Sequence, residues 1–318
     1  MANILDRSTD ESFGRRCGDD IVYSYPEFPD NCRLMERPKL RSSKLPGNNN
    51  YTPASKRTAL VLPKKNSVMN YIALTQMKDQ LRKNWKRLPE TALQSFLNSF
   101  DIEYVHNSTA IEGNTLTLIE TKTVLKDKLS IGGKSLYEIY EVINHSKAFS
   151  YVKACVAKQE SLSENISRNI HEILMENILV GGIYRNCEIR ITGARHKPPA
   201  DNEMYSQIKA INSSLPNHPE LNSIELASYT HAEFVRIHPF EDGNGRTARL
   251  IMNYQLMISG FLPRSIRKED RLQYFETLEQ YASEGNIQPF SDLIADLEEK
   301  QIRVYMSLLP KEREGDER

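Results

Sequence analysis

The sequence predicts a mainly α-helical protein with one small β-hairpin, and three observations support this fold class. Apolar residues recur at helical spacing from about Ser67 towards the C-terminus. Two segments begin with a capping box, in which Thr117 or Ser135 precedes a Glu by three residues. Strand-like alternation of apolar and polar residues is confined to the region around 188–192. We therefore expect a helical bundle that carries a single hairpin.

The composition of the chain argues against several classes of partner. Its 318 residues include 42 basic and 42 acidic side chains, so the net charge is zero. A neutral chain offers no overall attraction for nucleic acid or for an anionic membrane, and we expect neither as a partner. Four cysteines lie far apart without paired spacing, which favours free thiols in a reducing compartment.

The sequence also lacks the usual signals for export or membrane insertion. No apolar run approaches the roughly 20 residues of a membrane span. The first residues have neither the charged region nor the apolar region of a signal peptide. We expect a cytoplasmic protein. Its oligomeric state stays open, with a homodimer as one alternative.

Three segments of the chain differ in character. Residues 1–66 contain six prolines and no sustained periodicity, and they are predicted to be extended or partly disordered. Residues 67–309 hold the helical patterns and form the predicted domain. Residues 310–318 form a charged tail that we expect to be frayed.

The helices of the domain follow from apolar spacing and from their start and stop signals. The first begins near Ser67, and a second begins near Pro89, which suits a first helical turn. The segment 107–113 is then predicted to be helical, with Glu112 in its last turn and Gly113 as its end. A carboxylate is unfavourable at that end of a helix dipole, so we expect Glu112 to have a cationic partner. One later helix leads into His238, and the others are predicted over about 118–127, 136–157, 164–179, 200–214, 246–258, 274–285 and 288–309.

The period of the pattern changes between Tyr184 and Lys197. Gly193 interrupts the alternating run, and two prolines close the segment. This predicts the β-hairpin, in which Arg190 and His196 either face a substrate or are simply solvated. The alternating run consists of Glu188, Ile189, Arg190, Ile191 and Thr192.

One loop brings together groups that suit phosphate binding. The helix before it must end at His238, because Pro239 has no N–H and clashes with the preceding turn. Gly243 and Gly245 then free the backbone, and a new helix begins near Arg246. The first N–H groups of a helix are unpaired and carry partial positive charge, so this turn is predicted to be a phosphate cradle.

The side chains of the same loop add a metal ligand, a base and two cations. Asp242 offers a hard oxygen ligand for a phosphate-bound Mg²⁺, and His238 is easily poised as a base near neutral pH. Arg246 and Arg249 lie one helical turn apart and can donate charge-assisted hydrogen bonds to phosphate. Each feature alone is usually an ordinary turn or a solvated face. Their combination predicts phosphoryl or nucleotidyl transfer.

The run from His238 to Arg249 resembles the signature of the Fic family, His-Pro-Phe-x-Asp/Glu-Gly-Asn-Gly-Arg-x-x-Arg, with every fixed position matched. The resemblance is to animal-type Fic proteins. It implies an AMPylase, which transfers AMP from ATP to a hydroxyl of a target protein and releases pyrophosphate, with Mg²⁺, or Mn²⁺ in its place. By position it implies these roles: His238 as the base, Asp242 as the metal ligand, Gly243, Asn244 and Gly245 as the cradle of the α- and β-phosphates, Arg246 as phosphate support, and Arg249 at the γ-phosphate.

The same resemblance implies an inhibitory helix near 104–113 and a family core over about 160–305. Ser108, Glu112 and Gly113 match the family's Ser/Thr-x-x-x-Glu-Gly/Asn pattern. Glu112 would then pair with Arg249 and take the place of the γ-phosphate. The predicted hairpin would be the flap that holds the target by main-chain pairing. Tyr274 and Phe275 would line the adenine pocket, although the family's asparagine near Ala282 and Ser283 is not matched.

Three alternatives remain open on these residues. The site could run in reverse, with Glu112 orienting a water that removes AMP from a modified protein. It could transfer another nucleotide or a phosphocholine group. It could also be a non-catalytic module that senses nucleotide, although His238 and Asp242 argue against that reading.

Overall fold

The structure is a computed structural model of the chain, and helices account for most of the residues that it describes. The mainly α fold class is confirmed. The predictions for residues 1–64 and 311–318 lie outside the described residues. The structure describes residues 65–191, 193–214, 218 and 220–310.

Ten α-helices make up most of the described part of the chain. Short helical turns stand beside them at Trp85–Arg87, Thr123–Asp127 and Lys268–Asp270. The α-helices are α1 Lys65–Asn84, α2 Glu90–Ile111, α3 Leu118–Lys122, α4 Leu136–Ala157, α5 Glu164–Met175, α6 Asp201–Ser214, α7 Ser223–Ile237, α8 Asn244–Ile258, α9 Arg271–Glu284 and α10 Gln288–Ser307.

Side chains fix several helix ends where the sequence placed them. Thr117 and Ser135 each accept a hydrogen bond from the backbone of the Glu three residues later, and that Glu bonds back to the cap residue. Both predicted capping boxes are therefore formed. The second predicted helix and the segment 107–113 are one continuous helix, α2, which ends before Gly113. Gly113 has φ +109°, a conformation that favours glycine.

Helix α5 is shorter than the predicted range of 164–179. It ends at Met175, and Asn177 adopts φ +60° as the chain turns back. The chain that follows packs closely against α5, because a Cβ on Gly181 would clash with the Cα of Glu172. Apolar residues beyond Met175 continued the helical pattern, but Leu179 lies on the surface, 51% exposed.

The predicted hairpin is not confirmed. The described residues between Tyr184 and Lys197 form no strand, and Thr192 lies outside the described residues. The segment is irregular, with a turn in which Ala194 N donates to Ile191 O at 3.2 Å. Side-chain exposure nevertheless alternates from Glu188 to Ile191, as an extended chain requires.

The core is organised around α8. The side chains from Arg246 to Met257 are all buried, because α8 lies between two apolar clusters. The first cluster contains residues of α2 and of each helix from α4 through α8. The second contains residues of α1, of α2 and of each helix from α7 through α10. Helix α7 packs along α8, and the loop 238–243 connects them. The loop that the sequence singled out is therefore held between the two central helices.

Within the described ranges, no helix is both long and apolar enough to cross a membrane. Cys155 is buried and Cys187 is exposed, and both are free thiols. Cys17 and Cys32 lie outside the described residues.

Candidate active site

His238 terminates α7 in a left-handed backbone conformation. Its φ and ψ are 53° and 63°, and its N–H still bonds to Phe234 O at 3.0 Å. Positive φ is uncommon for residues other than glycine and is often found at functional sites. The ring Nδ1 lies 3.2 Å from the carbonyl of Val235, and a carbonyl can only accept a hydrogen bond. This contact fits an Nδ1–H tautomer, which leaves Nε2 as the basic atom.

Burial lowers the pKa of His238 to about 4. The hydrogen bond to Val235 and the charge of Glu112 act in the opposite direction, while Arg185 and His196 lower the pKa further. The imidazole is therefore neutral near pH 7. A neutral ring with a free Nε2 can accept a proton from a bound hydroxyl.

The loop after His238 is closed by Asn244. The side chain of Asn244 accepts a hydrogen bond from Phe240 N at 2.9 Å and donates one to Phe240 O at 2.8 Å. The amide side chain is thus used within the loop, so the group that Asn244 can offer an anion is its backbone. Gly243 has φ +71°, and the described chain places no side-chain cap on the first turn of α8. The first N–H groups of α8 remain available for an anion.

His171 supports this loop, although no local sequence pattern indicated that role. The ring stacks on Phe240 with centroids 3.6 Å apart. Its Nδ1 accepts a hydrogen bond from Gly182 N at 2.9 Å, so Nε2 carries the proton and donates to Asp242 O at 3.0 Å. Burial lowers the pKa of His171 to about 4, which keeps the ring neutral. His171 lies 71 residues from Asp242 in the sequence, and no local pattern connects them.

Asp242 presents an ionised carboxylate at the mouth of the loop. Its Oδ1 accepts from Gly243 N at 2.6 Å, and its Oδ2 accepts from Tyr137 Oη at 3.0 Å and from Arg246 at 3.3 Å. Burial raises its pKa, but Arg246 and the hydrogen bonds of Gly243 and Tyr137 outweigh this effect and leave the pKa below its ordinary value.

The carboxylate of Asp242 fits a metal ion that is bound mainly by substrate. Among the described residues there is no cluster of three or more His, Cys, Asp or Glu that could hold a metal by itself. Mg²⁺ is commonly bound through one or two carboxylates plus substrate phosphates, with water completing the shell. A single ionised and 44% exposed side chain beside a phosphate cradle suits that arrangement.

Arg246, which was predicted to support the phosphates, bonds to two carboxylates of the protein. Its side chain is 2% exposed, and its Nη1 donates to Glu141 Oε1 on α4 at 2.6 Å. Asn114 donates to the other oxygen of Glu141 at 2.8 Å. Burial raises the pKa of the Glu141 carboxyl despite Arg246. The guanidinium thus braces the loop through Glu141 and Asp242, and a direct contact of Arg246 with phosphate stays a prediction.

Replacing Glu141 with Ala is expected to lower the free energy of unfolding by about 3 kcal/mol, because it leaves the buried Arg246 without its main counter-ion. Urea unfolding of Glu141→Ala measures this effect. Glu299→Ala is the matched control, because Glu299 pairs with Arg303 at 2.6 Å on the surface of α10 and exposed pairs contribute little. Equal effects of the two substitutions would contradict the assigned role of Glu141.

Arg249 lies beneath the first turn of α8 and bonds to the end of α2. Its Nη2 donates to Glu112 Oε1 at 2.8 Å and to Ser108 O at 2.7 Å, and its Nε donates to Ser108 Oγ at 2.9 Å. Ser108 Oγ also contacts His145 Nε2 at 2.8 Å. The cationic partner expected for Glu112 is therefore Arg249.

The carboxylate of Glu112 rests against the start of α8. A Cβ on Gly245 would clash with Glu112 Oε1, so a larger residue there would displace this carboxylate. The Glu112 side chain is 31% exposed, whereas Arg249 is 1% exposed. An anionic group thus already lies beside the helix N-terminus where an anion is favoured.

Tyr274 and Phe275 both lie on α9. Tyr274 is near Arg249, and Phe275 is at the surface. Tyr274 is 1% exposed, and its hydroxyl contacts His231 Nε2 at 2.9 Å and accepts from Arg249 Nη1 at 3.3 Å. Phe275 is 39% exposed and lies under the guanidinium of Arg271. The hydroxyl of Tyr274 helps to fix Arg249, and a role of both rings in an adenine pocket stays a prediction.

The segment predicted as the flap is held by an ion pair within it and by hydrogen bonds to α9. Lys197 and Glu188 form an ion pair at 2.9 Å across the segment. The carboxylate of Glu279 on α9 accepts hydrogen bonds from Arg195 N and His196 N, both at 3.1 Å, and lies 3.3 Å from His196 Nδ1. His196 thus faces Glu279. The side chain of Arg190 is exposed, and its contact with a target stays a prediction.

Comparison with known proteins agrees with this fold. Residues 161–256 match the Fic/DOC family. Among solved structures, a Fic-1 fragment from C. elegans superposes with a TM-score of 0.67 and 29% identity over 76% of this chain and 72% of that fragment. A Fic domain containing signalling protein from Bacteroides thetaiotaomicron gives the same TM-score at 26% identity, over 76% of this chain and 97% of that protein.

Curated relatives narrow the comparison to animal proteins. The protein adenylyltransferase Fic of Nematostella vectensis is 39% identical over 210 residues, which cover 64% of this chain and 48% of that protein. The Aedes aegypti protein of the same name is 34% identical over 218 residues, covering 64% and 42%. The chain thus spans about half the length of the curated relatives it matches, or less.

The helical fold is similar to that of Fic proteins, and residues 161–256, which include the loop from His238 to Arg249, match the Fic/DOC family. The chain is also similar to the animal proteins named protein adenylyltransferase Fic.

Proposed function

We propose that this chain transfers AMP from ATP to a hydroxyl group of a target protein and that Glu112 inhibits this reaction. The observation that carries the proposal is the arrangement around the start of α8. A neutral His238, an ionised Asp242 and an open helix N-terminus lie in one loop. Glu112 forms an ion pair with the guanidinium of Arg249. The relatives named protein adenylyltransferase support the same reaction class.

The proposed step is a displacement at the α-phosphorus of ATP. The target oxygen forms a bond to that phosphorus, and the bond from phosphorus to the bridging oxygen of the β-phosphate breaks. Pyrophosphate leaves, and Nε2 of His238 takes the hydroxyl proton. The first N–H groups of α8 bind the phosphate oxygens. Asp242 would hold a Mg²⁺, which supplies positive charge to the phosphates when it is bound.

The inhibition follows from competition for one cation. A γ-phosphate needs the donors of Arg249 that Glu112 now accepts from. A carboxylate and a phosphate repel each other at one position, so ATP would bind weakly or in an unproductive pose. The target would be held beside this site by residues 188–192, by main-chain pairing in an extended segment.

The reverse reaction is the second candidate function. The Glu112 side chain is 31% exposed, so its carboxylate lies at the boundary between the site and solvent. It could orient a water towards the phosphorus of an AMP-modified side chain. This alternative uses the same residues and differs in the substrate that is supplied.

The position of the label decides between these reactions. Wild type and Glu112→Gly are incubated with Mg²⁺ and with ATP labelled at either the α- or the γ-phosphate. Protein-bound label from α-labelled ATP alone, abolished by EDTA, is expected for AMP transfer. Label from γ-labelled ATP indicates phosphoryl transfer and contradicts the proposal. ATP binding without protein-bound label also contradicts it and favours AMP removal or a nucleotide-sensing role.

A further inference from the structure

Arg185 is buried beside His238, and backbone carbonyls surround it. Its side chain is among the largest that are fully enclosed, at 1% exposure. Nε donates to His238 O at 2.8 Å, Nη1 to Cys187 O at 2.7 Å, and Nη2 to Pro199 O at 2.6 Å. A longer contact of 3.5 Å joins Nη2 to Ile237 O. Within the described ranges, each hydrogen bond of this guanidinium goes to a main-chain oxygen.

These carbonyls belong to two segments that must meet during transfer. Cys187 and Pro199 bracket the segment that contains residues 188–192, so one planar group ties both of its ends. His238 O belongs to the left-handed residue that carries the basic ring. The backbone N–H of Arg185 adds a hydrogen bond of 2.9 Å to Pro239 O. The base of the segment and the end of α7 are therefore fixed to each other.

The planar fork of arginine matters for this arrangement. A guanidinium has five N–H donors in fixed directions, whereas an ammonium group is a compact charge on a flexible stem. A lysine could keep the charge but could not bond to His238, Cys187 and Pro199 at the same angles. Arg185 is also a cation close to the imidazole of His238, and its charge disfavours protonation of the ring.

We propose that Arg185 is a positioning residue that holds the target-binding segment in register with His238. This inference rests on the AMP transfer proposed above. The geometry of the fork aligns the two segments, and the charge of the guanidinium helps to keep the base neutral. The two contributions can be separated by substitution, because lysine keeps the charge alone and glutamine keeps neither the charge nor the full fork.

The charges that face His238 set the expected direction of its pKa. Glu112 raises the pKa of His238, whereas Arg185 and His196 lower it. The Arg185→Gln change removes one of the two lowering charges, so the pKa of His238 should rise. The acid limb of the rate profile should then move to higher pH. The Arg185→Lys change keeps a positive charge, so the acid limb should stay in place.

The experiment compares Arg185→Lys and Arg185→Gln in the Glu112→Gly background. Both should slow self-labelling at saturating ATP by about 10- to 100-fold, the scale of a misplaced reacting group, while ATP affinity changes less than about twofold. Hydrogen exchange should become faster in residues 187–199. Arg264→Lys is the control, because Arg264 is also buried and donates to the carbonyls of Leu297 and Pro263. It should leave the labelling rate and the pH profile unchanged.

Three outcomes would overturn the inference. They are an unchanged labelling rate in Arg185→Lys, an ATP affinity that falls in parallel with the rate, and an unchanged pKa of His238 in Arg185→Gln. The last is measured by NMR titration of the imidazole, which needs no activity. If the Glu112→Gly parent transfers no AMP, the proposed function fails, and NMR and hydrogen exchange still decide whether Arg185 positions these segments.

Discussion

Replacing Glu112 with Gly is expected to raise the initial rate of self-labelling from α-labelled ATP by about 10- to 100-fold, the usual range of coupling between two competing sites. The wild-type carboxylate bonds to Arg249 at 2.8 Å and lies against Gly245. Its removal frees the guanidinium for the γ-phosphate and removes a negative charge from the phosphate cradle. Residue 112 is the C-cap of α2 and lies outside the helix interior, so glycine costs less helix stability there than within the helix.

The control for this substitution is another glutamate at a helix C-cap. Glu176 ends α5 and pairs with Lys147 at 2.6 Å on the surface. Glu176→Gly should leave the labelling rate unchanged. Glu112→Gln keeps the size of the side chain without its charge and should give an intermediate rate. Equal rates for wild type and Glu112→Gly, or an equal increase in Glu176→Gly, would exclude Glu112 as the inhibitory group.

A change of stability should accompany the change of rate. Arg249 is buried, so loss of Glu112 leaves an uncompensated charge and lowers the melting temperature. A nucleotide that supplies the missing anion stabilises the folded state by mass action. ATP should therefore raise the melting temperature more in Glu112→Gly than in wild type, which a thermal shift series measures.

The part of the site that could be predicted from sequence lies on consecutive residues. Pro239 ends α7, and Gly243 and Gly245 allow the turn into α8, so the loop and its helix N-terminus follow from local chemistry. The capping boxes of α3 and α4 are local in the same way. The period-2 pattern at 188–192 predicted a hairpin that is not confirmed. Exposure alternates over the described residues 188–191, but pairing of two arms depends on contacts that alternation does not encode.

The supporting residues could not be found in this way, because they depend on tertiary packing. Glu141 lies 105 residues from Arg246, and Arg185 lies 53 residues from His238. Nothing local distinguishes these side chains from the many solvated charges of the chain. The sequence showed that Glu112 needs a cation, and only the family resemblance named Arg249. Arg246 was expected at the phosphates from its place in the loop, and its buried partner Glu141 could not be seen from the sequence.

His238→Ala in the Glu112→Gly background is expected to reduce AMP transfer by about 10²- to 10⁴-fold, the usual contribution of a general base. The ring supplies the proton acceptor Nε2, whereas the phosphates are expected to bind to α8 and Arg249. Affinity for ATP should therefore change less than about twofold. Isothermal titration measures the affinity, and label from α-labelled ATP measures the transfer.

Backbone strain has to be separated from chemistry in this test, because His238 has φ 53°. Alanine is disfavoured in the left-handed region by about 1–2 kcal/mol, while asparagine adopts it more readily. His238→Asn keeps the loop conformation but has no basic ring nitrogen, so it should lose as much transfer as His238→Ala. His218→Ala is the control, since His218 bonds to Glu220 and contacts none of the site residues described above. Substantial transfer by His238→Asn would show that the loop conformation, and not the imidazole, is what the reaction requires.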